Sequence, residues 1–396
     1  MDVRKEIEMR YKKYYILLAP ILLSIILVFT PLESPFFLTG FTSVEAKITG
    51  NCANCHTMHN SQGGSAMATY GGGTGPNSCL TRGTCFGCHG QGTSKIVTIG
   101  GSDIPQVYHT GTLDLAGGNF KHIETGGDNR GHNIIELNNL DDVLDGPPGP
   151  VKQYNHAMAV RDINLTCAGE NGCHGTNRYI DLGSGIKAVK GAHHGNVDGK
   201  CDTPDTVAKS YRFLWGVKGL ENTVSKWQNA SPTDHNEYFG ATPPPSYGCS
   251  AVTCHIGPGY SAASINKSIS GFCGTCHGNF HGVIGGTGSG TSDGIGIGGT
   301  SSPFKRHPTD IVLKGSGEYT AYTTYSVQAP VARPTVYDTP SSVVNPGTDV
   351  VMCLSCHGAH ATNYPDILKW DYTTMIAGGG GSGGCFTCHT QKKNPP

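Results

Sequence analysis

Cysteine and histidine are the residues of this chain whose types and spacing could carry chemistry. The 396 residues include 16 cysteines and 18 histidines. Five times the sequence reads Cys-x-x-Cys-His, which is the attachment signature of c-type haem. Both thiols then lie on one side of a helical turn and can add to the two vinyl groups of a porphyrin, while the imidazole reaches the iron as proximal ligand. The five regular motifs are Cys52/Cys55/His56, Cys85/Cys88/His89, Cys273/Cys276/His277, Cys353/Cys356/His357 and Cys385/Cys388/His389.

Other uses of paired cysteines do not explain this pattern. Zinc ribbons, disulfides and thioredoxin-type redox pairs also place two cysteines two residues apart, but they do not require histidine at the next position. Histidine occupies 18 of 396 positions, so five successive coincidences are negligible. The spacing therefore predicts five covalently bound haems.

Two longer clusters keep the same ending. Cys167/Cys173/His174 has five residues between the cysteines, and Cys249/Cys254/His255 has four. The extra residues can loop outwards while both thiols and the histidine keep their places; the alternative is a local disulfide followed by an incidental histidine. We predict about seven haems on fourteen cysteines, which leaves Cys79 and Cys201 able to pair in an oxidising compartment if their geometry allows it.

The remaining histidines are numerous enough to supply the second axial ligand of every iron. Eleven are left after the seven motif histidines, whereas the chain has only 7 methionines. An iron held by two histidines has no open position, so such haems pass electrons without binding a substrate. His59 and His360 each follow a motif histidine by three residues, too close to bend back to the same iron, and they serve other haems or none. His193 and His194 are adjacent and could reach different irons.

The composition excludes several classes of protein. Hydrophobic residues make up 37% of the chain and charged residues 14%, while glycine fills 58 positions. Intrinsic disorder usually comes with a high net charge, but here the net charge is −1. A balance of 28 Lys+Arg against 29 Asp+Glu excludes a basic nucleic-acid binder. Because aliphatic side chains are scarce, the porphyrins are expected to supply much of the buried surface.

Little regular secondary structure is expected. Beyond residue 46 no apolar repeat of helical period is sustained over three turns. The sequence predicts short strands over 311–313 and 348–352, helical turns over 137–144 and 367–372, and glycine-rich loops over 71–75, 282–300 and 378–384. The predicted fold is a mostly irregular chain, with short helical turns and a few short strands, wrapped around closely stacked haems in one domain over 47–396.

The amino terminus predicts export. Basic residues between Arg4 and Lys13 precede an apolar run over 15–29, and small residues at Val44 and Ala46 suit a signal peptidase. We interpret 1–46 as a signal peptide, with an uncleaved membrane anchor as the alternative.

Several phrases around these motifs resemble a known family. Cys-His-Thr-Met-His at 55–59, Gly-Ala-His-His at 191–194, Arg-His-Pro-Thr-Asp at 306–310 and Met-Cys-Leu-Ser-Cys-His at 352–357 resemble the multihaem outer-surface cytochromes of metal-reducing bacteria. Members related to the outer-membrane cytochromes S and E polymerise into extracellular filaments, although with other haem counts. The resemblance implies that His59 matches a position that ligates a haem of the next subunit. It favours as further distal ligands His132, His193, His194, His235, His281, His307 and His360.

The expected function is extracellular electron transfer by hopping along bis-histidine haems, not enzymatic turnover. The resemblance implies identical subunits joined head to tail in a filament, redox partners and extracellular acceptors, and a location outside the cell or on its outer surface rather than in the periplasm. A monomeric periplasmic or outer-surface electron carrier, and a structural or adhesive surface protein, are alternatives. A multihaem reductase needs an iron with an open position, often marked by lysine in place of the motif histidine, and all seven motifs end in histidine.

The haem count has a direct test. Intact mass spectrometry of the mature protein should give the mass of the chain plus seven covalent haems, and the residual mass fixes the signal cleavage site. Replacing Cys167 and Cys173 together by serine should remove one haem. A mature protein with five haems would instead favour the disulfide interpretation of the two longer clusters.

Overall fold

The structure of the protein is a computed structural model. It describes residues 50–68, 76–137, 165–168, 172–174, 214, 216–218, 229–240, 268–274, 277, 307, 309–337 and 339–394, all within the unit Glu45–Pro396. The signal region 1–46 and the loops 71–75 and 282–300 lie outside these residues. So do eight of the side chains singled out above: Cys201, Cys249, Cys254, His255, Cys276, His193, His194 and His281.

Helical segments are short. The described residues form three α-helices: Phe86–His89 (α1), Lys121–Gly126 (α2) and Ile269–Gly274 (α3). The other helical segments in these residues are short 3₁₀ helices: Cys52–Asn54, Asp128–Arg130, Ile135–Leu137, Gly317–Ala321, Cys353–Ser355, Pro365–Ile367, Tyr372–Thr374 and Gly384–Thr387. Within the described ranges no helix has both the length and the apolar character needed to cross a membrane.

Strands occur in pairs of two to four residues. The five pairs are β1 (Ser61–Gln62) with β2 (Ser65–Ala66), β3 (Ile96–Ile99) with β4 (Ser102–Pro105), β5 (Thr166–Ala168) with β6 (Gly172–His174), β7 (Val217–Lys218) with β8 (Glu237–Tyr238), and β9 (Ile311–Val312) with β10 (Val350–Val351). All are antiparallel except β5 and β6, which are parallel. The prediction of a largely irregular chain with short turns and strands is confirmed.

The two strands predicted from the sequence are observed, whereas the helical turn predicted over 367–372 is not. β9 and β10 fall inside the two predicted strands and pair with each other, with Val350 opposite Val312. The helical turn predicted over 367–372 is not continuous, because 3₁₀ turns lie on either side of 368–371. Asp366 and Ile367 have φ values of 58° and 56°, in the left-handed region that stops a right-handed helix.

Apolar side chains form three small clusters in the described part of the chain. Each contains only six or seven fully buried residues, so the aliphatic side chains are divided among several local contacts. One cluster surrounds Phe86, Phe120 and Ile123, a second surrounds Ile269 and Met352, and a third surrounds Leu313 and Tyr325. This division agrees with the shortage of aliphatic residues in the sequence.

The segment 357–362 connects distant parts of the chain. Asn119 and His132 donate their main-chain N–H groups to the carbonyls of Ala361 and His360, at 2.9 and 3.0 Å, and Thr362 donates to Arg130 at 2.9 Å. Gly118, with φ of 87°, allows this approach, because a Cβ there would lie 1.8 Å from the Ala361 carbonyl oxygen. Two sites in the amino-terminal half are therefore tied to one carboxy-terminal segment.

A buried ionic network holds β8 against the loop 333–343. One Arg333 guanidinium nitrogen lies 2.5 Å from a Glu237 carboxylate oxygen, and another donates to the Val343 carbonyl at 2.7 Å. The second oxygen of Glu237 accepts from the Ser341 N–H at 2.9 Å. Burial raises the pKa of Glu237, and Arg333 opposes that rise. The network therefore depends on both charges remaining together.

Breaking this network should be costly. Glu237→Gln leaves the buried Arg333 cation without its closest counter-charge, and we expect a loss of about 3 kcal/mol of stability. The midpoint of urea unfolding, followed by tryptophan fluorescence, measures the loss. Lys121→Ala is the control, because it removes the partly exposed ion pair of Lys121 with Glu124 and should cost less than about 1 kcal/mol. Equal shifts for the two variants would contradict the expectation.

Candidate functional site

All five regular motifs adopt the same local geometry. In each, the main-chain N–H of the motif histidine donates to the carbonyl of the first motif cysteine, four residues earlier. The distances are 2.7 Å for His56, 2.8 Å for His89, 3.0 Å for His277, 3.1 Å for His357 and 3.0 Å for His389. One helical turn thus joins the first cysteine to the histidine in every regular motif, as the spacing predicts.

The motif with five intervening residues is built differently. Cys167 lies in β5 and Cys173 in β6, and the parallel register pairs Thr166 with Gly172 and Ala168 with His174. This register puts the two cysteines level with each other on neighbouring strands. Two paired extended segments here take the place of the helical turn.

Several of the described motifs are neighbours in space. The sulfurs of Cys85 and Cys167 and a carboxylate oxygen of Glu136 all lie within 4.8 Å of one another, so the second and third motifs adjoin. A hydrogen bond from the Cys88 thiol lowers the pKa of Cys55 to about 6, and so connects the second motif with the first. Through a hydrogen bond to Cys353, the pKa of Cys273 is raised. No disulfide joins any of the twelve described cysteines, which include Cys79.

Several candidate ligands have one ring nitrogen anchored to the main chain. Nδ1 of His89 lies 2.8 Å from the carbonyl oxygen of Pro105, and Nδ1 of His357 lies 2.8 Å from that of Asp366. Nδ1 of His59 lies 2.8 Å from the carbonyl oxygen of Asn77, and Nδ1 of His132 lies 2.9 Å from that of Ala359. A carbonyl oxygen can only accept a hydrogen bond, so the ring proton must lie on Nδ1. Nε2 is then the unprotonated nitrogen, whose lone pair can bind a metal ion. Metal-binding histidines in proteins have this arrangement.

Three distal candidates lie opposite three motif histidines. The ring centroids are 6.1 Å apart for His132 and His277, for His174 and His360, and for His307 and His389. Two imidazoles on opposite sides of a metal ion, each bound at about 2 Å, have centroids about 6 Å apart. Each pair therefore has the spacing needed to hold one metal ion between its rings.

Burial keeps two of these imidazoles neutral, those of His132 and His360. Burial, together with the neighbouring His277, lowers the pKa of His132 to about 4, and burial together with His174 lowers that of His360 to about 3. A lowered histidine pKa means that the cation is disfavoured, so both rings are uncharged at neutral pH. Neutral imidazoles beside paired thiols are the donor set that a c-type haem requires, and the described residues fit that group.

His235 has a different environment. Its Nδ1 lies 2.9 Å from the Asn236 carbonyl oxygen and its Nε2 3.2 Å from that of Ser341, while the ring stacks on Tyr325 at 3.6 Å. Both ring nitrogens thus face main-chain acceptors. A role as iron ligand requires the contact with Ser341 to open.

Two carboxylates beside histidines were not predicted from the sequence. Asp114 lies 2.7 Å from Nε2 of His122 and 3.6 Å from Nε2 of the fully buried His109. Glu318 lies 3.3 Å from Nδ1 of the motif histidine His389. His109 and His122 appeared in the sequence only as surplus histidines. The separation of 71 residues between Glu318 and His389 gave no local signal.

Comparison with known proteins agrees with this geometry. Residues 345–394, which contain the last two motifs, match the family described as the doubled CXXCH motif. The chain is also 25% identical to the C-type cytochrome OmcS of Geobacter sulfurreducens over 381 residues, covering 84% of this chain and 82% of that protein. The chain is therefore similar to a c-type cytochrome over most of its length. Haem c is accordingly its cofactor.

Two solved structures also match this chain. One is described as an outer membrane cytochrome S filament from Geobacter sulfurreducens, with 19% identity, a TM-score of 0.39, and coverage of 83% of this chain and 85% of that one. The other is described as OmcS nanowires from the same organism, with 18% identity, a TM-score of 0.39, and coverage of 89% and 92%.

Proposed function

We propose that the protein carries electrons along a row of about seven bis-histidine c-type haems, as the repeating subunit of an extracellular filament. The observation that carries the electron-transfer part is the set of three histidine pairs with centroids 6.1 Å apart. Filling both axial positions with protein ligands favours electron transfer over substrate binding.

Cysteines and histidines of the chain hold each cofactor in different ways. The paired cysteines of each motif anchor the porphyrin, and the motif histidine ligates one face of its iron. On the opposite face we assign His132 to the haem of His277, His360 to that of His174, and His307 to that of His389. When bound, the haem supplies an iron that alternates between the ferric and ferrous states. Anchoring Nδ1 to main-chain carbonyls holds the imidazoles in one orientation, so little rearrangement accompanies each electron transfer.

The neighbouring motifs support a continuous route for electrons. Contacts between cysteines link the first motif to the second, the second to the third, and the fifth to the sixth. Haems attached at adjoining cysteines lie close together, which is the condition for hopping from one to the next. Electrons can then pass directly between the haems of these adjoining motifs.

Assembly into a filament is proposed from similarity to OmcS, whose solved forms are described as filaments and nanowires. In this chain His59 is half-buried, with Nδ1 held at 2.8 Å by the Asn77 carbonyl, and the adjacent Met58 is 68% exposed. This placement suits ligation of a haem in a second copy by Nε2 of His59. Contacts that join different surfaces of identical subunits generate open polymers.

The axial assignments predict specific spectroscopic changes. His307→Ala should convert one low-spin ferric haem to high spin, because His389 alone then ligates that iron. Electron paramagnetic resonance of the purified ferric protein measures the change. His122→Ala is the matched control, since this histidine contacts Asp114 and should leave every haem low spin. A fully low-spin spectrum for the His307 variant would remove this assignment.

Polymerisation is tested by electron microscopy of the secreted protein. We expect filaments from the unaltered chain and discrete particles from His59→Ala, with one additional high-spin haem per chain, because the neighbour's iron loses its distal ligand. His122→Ala should still form filaments. Only globular particles from the unaltered protein would exclude the filament while leaving electron transfer intact.

A further inference from the structure

The motif histidines differ in the group that their Nδ1 atom contacts. His89 and His357 face the main-chain carbonyls of Pro105 and Asp366, both at 2.8 Å. His389 faces a side-chain carboxylate oxygen of Glu318 at 3.3 Å. A carbonyl is neutral, whereas a carboxylate carries a full negative charge. At this contact the last motif thus has a charged carboxylate, where the second and sixth motifs have a neutral carbonyl.

Glu318 is held in place beside His389. It lies in the 3₁₀ turn Gly317–Ala321, and its side chain is only 12% exposed. The hydroxyl of Thr390 donates to the main-chain carbonyl of Glu318, which ties this turn to the residue after the motif histidine. The ring of Tyr319 packs edge-on against His389, with centroids 5.4 Å apart. Thr390 and Tyr319 therefore hold Glu318 and His389 together, and the Glu318 side chain is largely shielded from solvent.

We propose that Glu318 is a positioning residue that lowers the reduction potential of the haem attached at Cys385 and Cys388. A carboxylate that accepts a hydrogen bond from Nδ1–H makes Nε2 a stronger electron donor to the metal. Stronger donation stabilises the ferric more than the ferrous iron, so the potential falls. The inference rests on the proposed ligation of this iron by His389. Reduction adds one electron from an external donor to ferric iron, and the Nδ1 proton stays on His389.

The consequence is an uneven chain of haems. The carboxy-terminal haem gives up its electron more readily than it would with a carbonyl at this position, such as those that face His89 and His357. At a given potential this haem is therefore occupied by an electron for a smaller fraction of the time.

Spectroelectrochemical titration of the full haem-loaded protein tests the proposal. In Glu318→Gln, which keeps the shape and removes the charge, the ratio of reduced to oxidised iron at this haem should rise about tenfold at a fixed potential, or about 59 mV for one electron. Glu318→Asp retains the charge and should recover part of the original potential. Asp371→Asn is the control, because Asp371 caps the turn Tyr372–Thr374 and accepts from the N–H of Thr373; it should leave the titration unchanged.

The possible failures can be told apart. If the unaltered protein shows every haem low spin and Glu318→Gln moves no component of the titration, the role of Glu318 is excluded while the proposed function stands. If the titration shifts equally in Asp371→Asn, general charge rather than the contact with His389 is responsible, and the proposal is again overturned. If the unaltered protein shows a high-spin haem at the last motif, the axial assignment of the proposed function fails first. Haem content measured on each variant confirms that the cofactor is retained.

Discussion

The main-chain hydrogen bond from the histidine of each regular motif to the carbonyl of its first cysteine is the contact on which the rest of the structure depends. It closes one helical turn and thereby fixes two thiols and one imidazole relative to one another. No extended helix is needed, since each turn is complete in five residues. Longer helices or strands are not required, because the relative positions of the thiols and the imidazole are set within each motif.

These local turns are not enough to stabilise a protein that has so few aliphatic side chains. The described apolar residues form three small clusters, and the buried network of Arg333 and Glu237 is ionic. Each cluster offers limited apolar area, whereas a porphyrin presents two large flat faces and is bound covalently at its edge. The haems therefore act as the common core around which the irregular chain is arranged. The glycine at position 118 permits the close approach of the backbone to the Ala361 carbonyl.

The sequence predicted what depends on nearby residues and missed what depends on distant ones. The regular motifs, the irregular chain and the strands at 311–312 and 350–351 follow from spacing and composition. The pairing of His174 with His360 joins residues 186 positions apart in the chain (360 minus 174), and no local pattern selects it from eleven candidates. Glu318 was missed because a single acidic residue in a short turn has no distinguishing neighbours. The extended geometry of Cys167 and Cys173 was missed because the spacing allows a loop without specifying strands.

The segment 357–362 has a consequence for how the molecule comes together. It supplies the carbonyl that anchors His132 and, three residues after its own motif, the His360 ring opposite His174. Synthesis proceeds from the amino terminus, so the middle of the chain is made well before residue 360 exists. The surroundings of His132 and His174 are therefore completed late, after nearly the whole polypeptide has been produced. A chain truncated before this segment would lose order in its centre as well as at its end.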